Sequence, residues 1–179
     1  MIGDLPPASI LILGALLVPL LRGRVRQAFL LLLPVLGLVH LWSLPDETSW
    51  KITCFTWELE LVRIDKLSRL FGYVFHVAAF LGLLFTLNVR ETMQHVAALV
   101  YAGSAVGAVF AGDLLTLFVF WELLAVSSAF LVWSRRSERS ARAGMRYLVV
   151  QVGSGVLLLA GIAVFVTQRG SIAFDRMSL

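Results

Sequence analysis

The chain has 179 residues, of which 59% are hydrophobic and 15% charged, with a net charge of +4. An apolar share above the roughly 45–50% of soluble domains excludes an ordinary aqueous fold and points to a lipid bilayer. The basic residues fall in short connections between apolar runs rather than along one face, which argues against nucleic acid as a partner.

Six apolar runs follow one another, at about 5–21, 27–44, 70–87, 95–112, 114–133 and 147–166, each near the ~20 residues that cross a hydrocarbon layer. The first is the shortest and carries Pro19; no positive region precedes it, so it reads as a retained helix rather than a signal peptide. Trp42 and Trp133 fall at run ends, where interfacial aromatics anchor helices. The external loop at 45–65 contains Trp57, Leu59 and Leu61 alternating with Glu58 and Glu60, which is strand period, and residues 50–55 are placed to pair with it as a hairpin. Gly103, Gly107 and Ala111 form a row of small residues in the fourth run, suited to close helix packing. The expected fold is one all-α membrane domain over 1–179: six transmembrane helices and an external hairpin between helices two and three.

Orientation follows from the loops. Arg22, Arg24, Arg26, Arg90, Arg135, Arg136, Arg139, Arg142 and Arg146 gather on one side with Glu91 and Glu138. Lys51, Arg63, Lys66, Arg69, Arg169 and Arg176 share the other with Asp4, Asp46, Glu47, Glu58, Glu60, Asp65, Asp113 and Asp175. Positive loops stay on the cytoplasmic side, so both termini are expected outside, in a multi-pass protein of a bacterial inner membrane.

One acid, Glu122, is left inside a span, nine residues into the fifth run. Placing an acid there costs about 2.5–3.5 kcal/mol on insertion scales, and such residues mark ion and proton pathways. A carboxylate that carries protons must switch between charged and neutral forms; burial favours the neutral form and a movable cation the charged one. Both lysines, Lys51 and Lys66, lie in the outer loop, so the cation must come from elsewhere. His76, at a depth similar to that of Glu122, is a candidate relay, or else an imidazole satisfied by a neighbouring hydroxyl or carbonyl. Tyr147, Gln151 and Ser154 share one face of the sixth helix and form a candidate hydrated stripe or a set of interhelical hydrogen bonds. The lone Cys54 builds neither a disulfide nor a Cys-based metal centre within the chain, and His40 and His76 are offset for a haem pair. Walker, HExxH and GxSxG motifs are absent; no cofactor or metal site is expected.

The stretch GDLLTLFVFWELLAVSSAFLVW (112–133), followed by SARAGMRYLVVQVGSGVLLLAGI (140–162), resembles the antiporter-like family shared by Mrp-type cation/proton antiporters and the proton-pumping subunits of respiratory complex I, with an Mrp D-type flavour. VRIDKLSRLF (62–71) resembles that family's approach to its third helix. The resemblance implies that Glu122 is a proton carrier paired with a Lys on a seventh helix, within a fold of about fourteen helices. A chain of six helices ending at FDRMSL then corresponds to the N-terminal third, as a split subunit or a truncation. The function expected is that of a subunit or portion of a proton-translocating complex, coupled to Na+, K+ or redox chemistry. Its partners would be other membrane subunits, one supplying the Lys. The alternative is a structural or assembly subunit that buries a neutral Glu122.

Overall fold

The computed structural model describes residues 5–45, 47–54, 57–89 and 91–174, with backbone alone for Cys54 and Trp57. Asp4, Asp46, Arg90, Asp175 and Arg176 of the charge pattern, and both chain ends, lie outside the described residues. The order is α1 (Ser9–Leu17), a 3-10 turn (Val18–Leu20), α2 (Gly23–Ser43), β1 (Ser49–Cys54), β2 (Trp57–Arg63), α3 (Lys66–Thr86), α4 (Thr92–Phe110), α5 (Leu114–Trp133) and α6 (Glu138–Arg169). Five of the six helices, α2 to α6, are long and apolar enough to cross a membrane. The first apolar run does not reach that length as an α-helix. Pro19 lies at the start of the 3-10 turn, where its missing N–H and fixed φ end the α-helical ladder.

Side-chain caps set the starts of α3 and α6. Asp65 accepts from the Ser68 backbone N–H at 2.7 Å while Ser68 Oγ accepts from Asp65 N–H at 2.8 Å, so α3 starts at Lys66 rather than Leu70. Ser137 and Ser140 form the same reciprocal box, so α6 starts at Glu138 rather than Tyr147. Arg139, Arg142 and Arg146 therefore lie on helix rather than in a loop. At 1.5 Å per residue α6 is about 48 Å long, more than the ~30 Å of a hydrocarbon core, and its basic first turns extend past the apolar part. It ends at Gly170, whose φ of 67° closes the last turn in the left-handed region.

α4 is the central helix, packed against α1, α3, α5 and β2. Its small residues allow this. A Cβ on Gly103 would meet Leu11 Cβ at 3.1 Å, and one on Gly107 would fall on the Phe120 ring. Leu11, Leu30, Leu41, Leu99, Val106 and Phe110 fill the core around it. β1 and β2 form the antiparallel hairpin, Ser49 opposite Arg63 and Cys54 opposite Trp57, with an irregularity between Trp50 and Lys51. At the hairpin end of the bundle Gly112 N–H donates to Glu60 O at 2.9 Å and Leu114 N–H to Ile172 O at 3.0 Å. At the other end Arg26 donates to Thr92 Oγ1 (2.8 Å), Gln27 to Leu87 O (2.9 Å), and Arg136 pairs with Glu91 (2.8 Å). α6 stands apart from this packing, set against α5 and otherwise uncovered among the described residues.

Candidate functional site: a carboxylate at the α5–α6 seam

α5 runs from an N-cap at Asp113, whose carboxylate accepts from the Thr116 N–H at 2.7 Å. That cap fixes the helix register and brings Glu122, its ninth residue, onto α6. The partner there is Gly155. A Cβ built on Gly155 would coincide with Glu122 Oε1 and lie 2.7 Å from its Cδ, so the carboxyl group rests in a notch that only glycine leaves open. Oε1 is buried and has no hydrogen-bond partner among the described residues. A buried polar atom without a partner costs about 1–3 kcal/mol, so this placement needs a proton, a cation or a donor to offset it.

Polar groups continue from this notch toward the basic end of the bundle. Gln151, one turn before Gly155, donates through Nε2 to Tyr147 Oη at 3.1 Å; Ser128 of α5 donates to the same oxygen at 3.0 Å. Tyr147 and Gln151, read as one stripe from their spacing, are thus joined. Ser154 is half-buried on the same helix and stays out of this set of bonds. Ser128 was missed because a serine within an apolar helix normally bonds back to its own carbonyls; it does so with Ala125 O (2.7 Å) and reaches Tyr147 as well. The signal was present in the SS pair after LLAV, one face around from Glu122.

His76 belongs elsewhere. Its Nδ1–H donates to Gly72 O at 2.7 Å, and its opposite ring edge fills a gap at Gly37 of α2, where a Cβ would lie 2.6 Å from His76 Cδ2. Nε2 is buried without a partner among the described residues. Since α3 packs on α2 and α4 while Glu122 faces α6, the structure does not bring His76 and Glu122 together. His40 Nε2–H donates to Leu5 O at 2.8 Å, which engages one of the two nitrogens a haem pair would use. Groups of three or more metal-ligating side chains do not occur among the described residues.

Asp113 is the acid that the charge pattern assigned to an outer loop and the structure buries. Besides Thr116 N–H, it accepts from Thr116 Oγ1 (2.9 Å) and from the Glu60 backbone N–H (2.7 Å), tying β2 to the start of α5. Gly112 lets the strand approach: a Cβ there would lie 2.7 Å from Glu60 O. The D-L-L-T order, an acid three residues before a threonine, was its sequence signal.

Residues 111–179, which contain every member of the α5–α6 seam, match the family model described as NADH:quinone oxidoreductase/Mrp antiporter, TM. The resemblance read from the sequence is borne out. Among antiporter-like relatives, NADH-quinone oxidoreductase subunit N of Desulfitobacterium hafniense is 33% identical over 119 residues, covering 60% of this chain and 23% of the relative. An Na(+)/H(+) antiporter protein of Alkalihalophilus pseudofirmus is 27% identical over 118 residues, 62% of this chain and 14% of its own length. The solved Mrp complex from Dietzia sp. DQ12-45-1b contains a chain that superposes with a TM-score of 0.85 at 22% identity, over 95% of this chain and 20% of that one. The antiporter-like fold therefore extends over nearly the whole described bundle, and the chain spans less than a quarter of each of these proteins.

Proposed function

We propose that this chain forms part of a proton-translocating, antiporter-like membrane machine in which Glu122 is the proton carrier. The observation that supports this most is the buried, unpartnered Oε1 of Glu122 against Gly155, at one end of a polar file formed by Gln151, Tyr147 and Ser128. Protonated, Glu122 is a neutral group suited to its apolar seam; ionised, it needs a cation. A lysine from another membrane segment, which the family resemblance implies, would supply that cation on approach and leave the proton on Glu122 when withdrawn. Gln151, Tyr147 and Ser128 lie between the notch and the basic end of the bundle, and in this reading their hydroxyl and amide groups pass the proton to or from that side. Any part His76 takes in this scheme runs through α2 rather than by direct exchange with Glu122. The cation exchanged would be Na+ or K+, or the cycle would be driven by redox chemistry in neighbouring subunits.

The test is proton movement in inverted membrane vesicles containing the assembled complex. Glu122→Gln keeps the shape and removes the titration, so proton-coupled transport should fall to background with assembly intact. Retained transport would assign Glu122 to structure alone.

A further inference from the structure

α3 and α5 both pack on α4 but leave a gap between them. The gap is an apolar cavity of about 880 Å³, floored by Ala98, Ala102 and Ala105 of α4 and walled by Phe75 of α3 and Trp121 of α5. The short alanine side chains of this floor leave the space between α3 and α5 open. Trp121 faces this groove while its neighbour Glu122 faces α6, as expected for adjacent residues about 100° apart around a helix. At one end the groove reaches Gln94 and Leu131, and both residues also line a second cavity, of about 560 Å³, with Ser134, Ser137, Arg135 and Arg139. An apolar slot thus adjoins a cationic, hydroxyl-bearing pocket. Arg136, next to Arg135 in sequence, is engaged by Glu91 at 2.8 Å, whereas Arg135 and Arg139 make no ion pair among the described residues. The polar pocket lies where α5 ends and α6 begins, at the basic end of the bundle, the level at which lipid head groups meet a membrane protein.

We propose that groove and pocket together hold one anionic phospholipid, its acyl chain along the alanines of α4 and its phosphate between Arg135 and Arg139. Guanidinium forks match phosphate oxygens in pairs, and basic pockets between membrane helices select anionic head groups. Charge complementarity decides the occupant. A transmembrane helix would fill the groove without use for the two arginines, and a soluble anion would use the arginines without the groove. This site contains neither Glu122 and Gly155 nor the polar file of Gln151, Tyr147 and Ser128, and it does not depend on the role given to Glu122.

The experiment is native mass spectrometry of the full chain in mild detergent, with phosphatidylglycerol and phosphatidylcholine of identical acyl chains. Phosphatidylglycerol should be retained about tenfold more strongly, and the double substitution Arg135→Gln/Arg139→Gln should bring the two lipids level. Both arginines are exposed, so this variant should keep its helical circular dichroism. Ala105→Phe, which fills the groove, should weaken retention of both lipids. Equal retention of the two lipids by the unaltered chain, or no effect of the arginine pair, would overturn the proposal. Displacement by millimolar inorganic phosphate would also overturn it, reducing the site to one for a free anion.

Discussion

α5 and its cap carry two acids nine residues apart, one enclosed and one half-buried, and they are handled in opposite ways. At its start Asp113 is enclosed (1% exposed) and accepts three hydrogen bonds, two from Thr116 and one from the backbone of β2. At its middle Glu122 presents a buried oxygen to the backbone of α6, and that oxygen has no hydrogen-bond partner among the described residues. A carboxylate fixed by donors on two elements is a joint; one left without donors, beside a glycine and a polar file, is available for a proton or a passing cation. The same sequence feature, an acid near an apolar run, therefore carries stability in one place and, in the function proposed above, chemistry in the other. The donors around each acid distinguish them.

Replacing each group should separate the two roles. Asp113→Ala removes an acceptor from three donors and is expected to cost about 3 kcal/mol, seen as a lower melting temperature in detergent and as loosening of the hairpin from α5. An unchanged melting temperature would remove the distinction between the two acids. Gly155→Ala should act on the other site: its Cβ collides with the Glu122 carboxyl, an overpacking cost of about 1–3 kcal/mol, and the displaced carboxylate should lower transport about tenfold or more. Tyr147→Phe deletes the hydroxyl that joins Ser128 to Gln151. Two intramembrane hydrogen bonds at about 0.6 kcal/mol each are lost, about 1.2 kcal/mol together, so transport should slow about sevenfold with assembly unaffected.

The smallest effect belongs to a third acid, outside the spans. The Ser68 backbone N–H donates to Asp65 and holds its carboxyl below the ordinary value of 3.8, with the Ser68 hydroxyl, the Leu67 backbone and Arg63 acting in the same direction. A lowered folded-state value means that the cap stabilises α3 fully above about pH 3.8 and loses that contribution as the pH falls through the folded value. Asp65→Ala should cost about 1 kcal/mol at neutral pH and should lessen the acid sensitivity of melting; a cap effect that persists in acid would contradict this assignment.

Five of the six expected spans, the hairpin and the family resemblance were legible in the sequence because they rest on hydropathy, on the alternation around Glu58 and Glu60, and on runs such as QVGSG. Glu122 was legible because a charge in an apolar helix is conspicuous. Its partner surface was not: Gly155 is one of several glycines in an apolar helix, and only three-dimensional pairing of α5 with α6 places it under the carboxylate. Depth along a helix suggested a link between His76 and Glu122, but depth says nothing of the direction around a helix, and His76 turns to Gly37. Charge counting assigned Asp113 to solvent, since a composition rule cannot see a strand folding back over a helix end. Caps, too, were hidden in the basic stretch, where Ser137 and Ser140 turn much of an apparent loop into the first turns of α6.

The distinction between the two acids of α5 is tested most directly by proton transport in vesicles carrying Glu122→Gln in the assembled complex. Loss of proton-coupled transport to background, with a melting temperature and subunit content equal to those of the unaltered protein, is the expected result. Transport at the unaltered rate with a neutral glutamine at position 122 would contradict it.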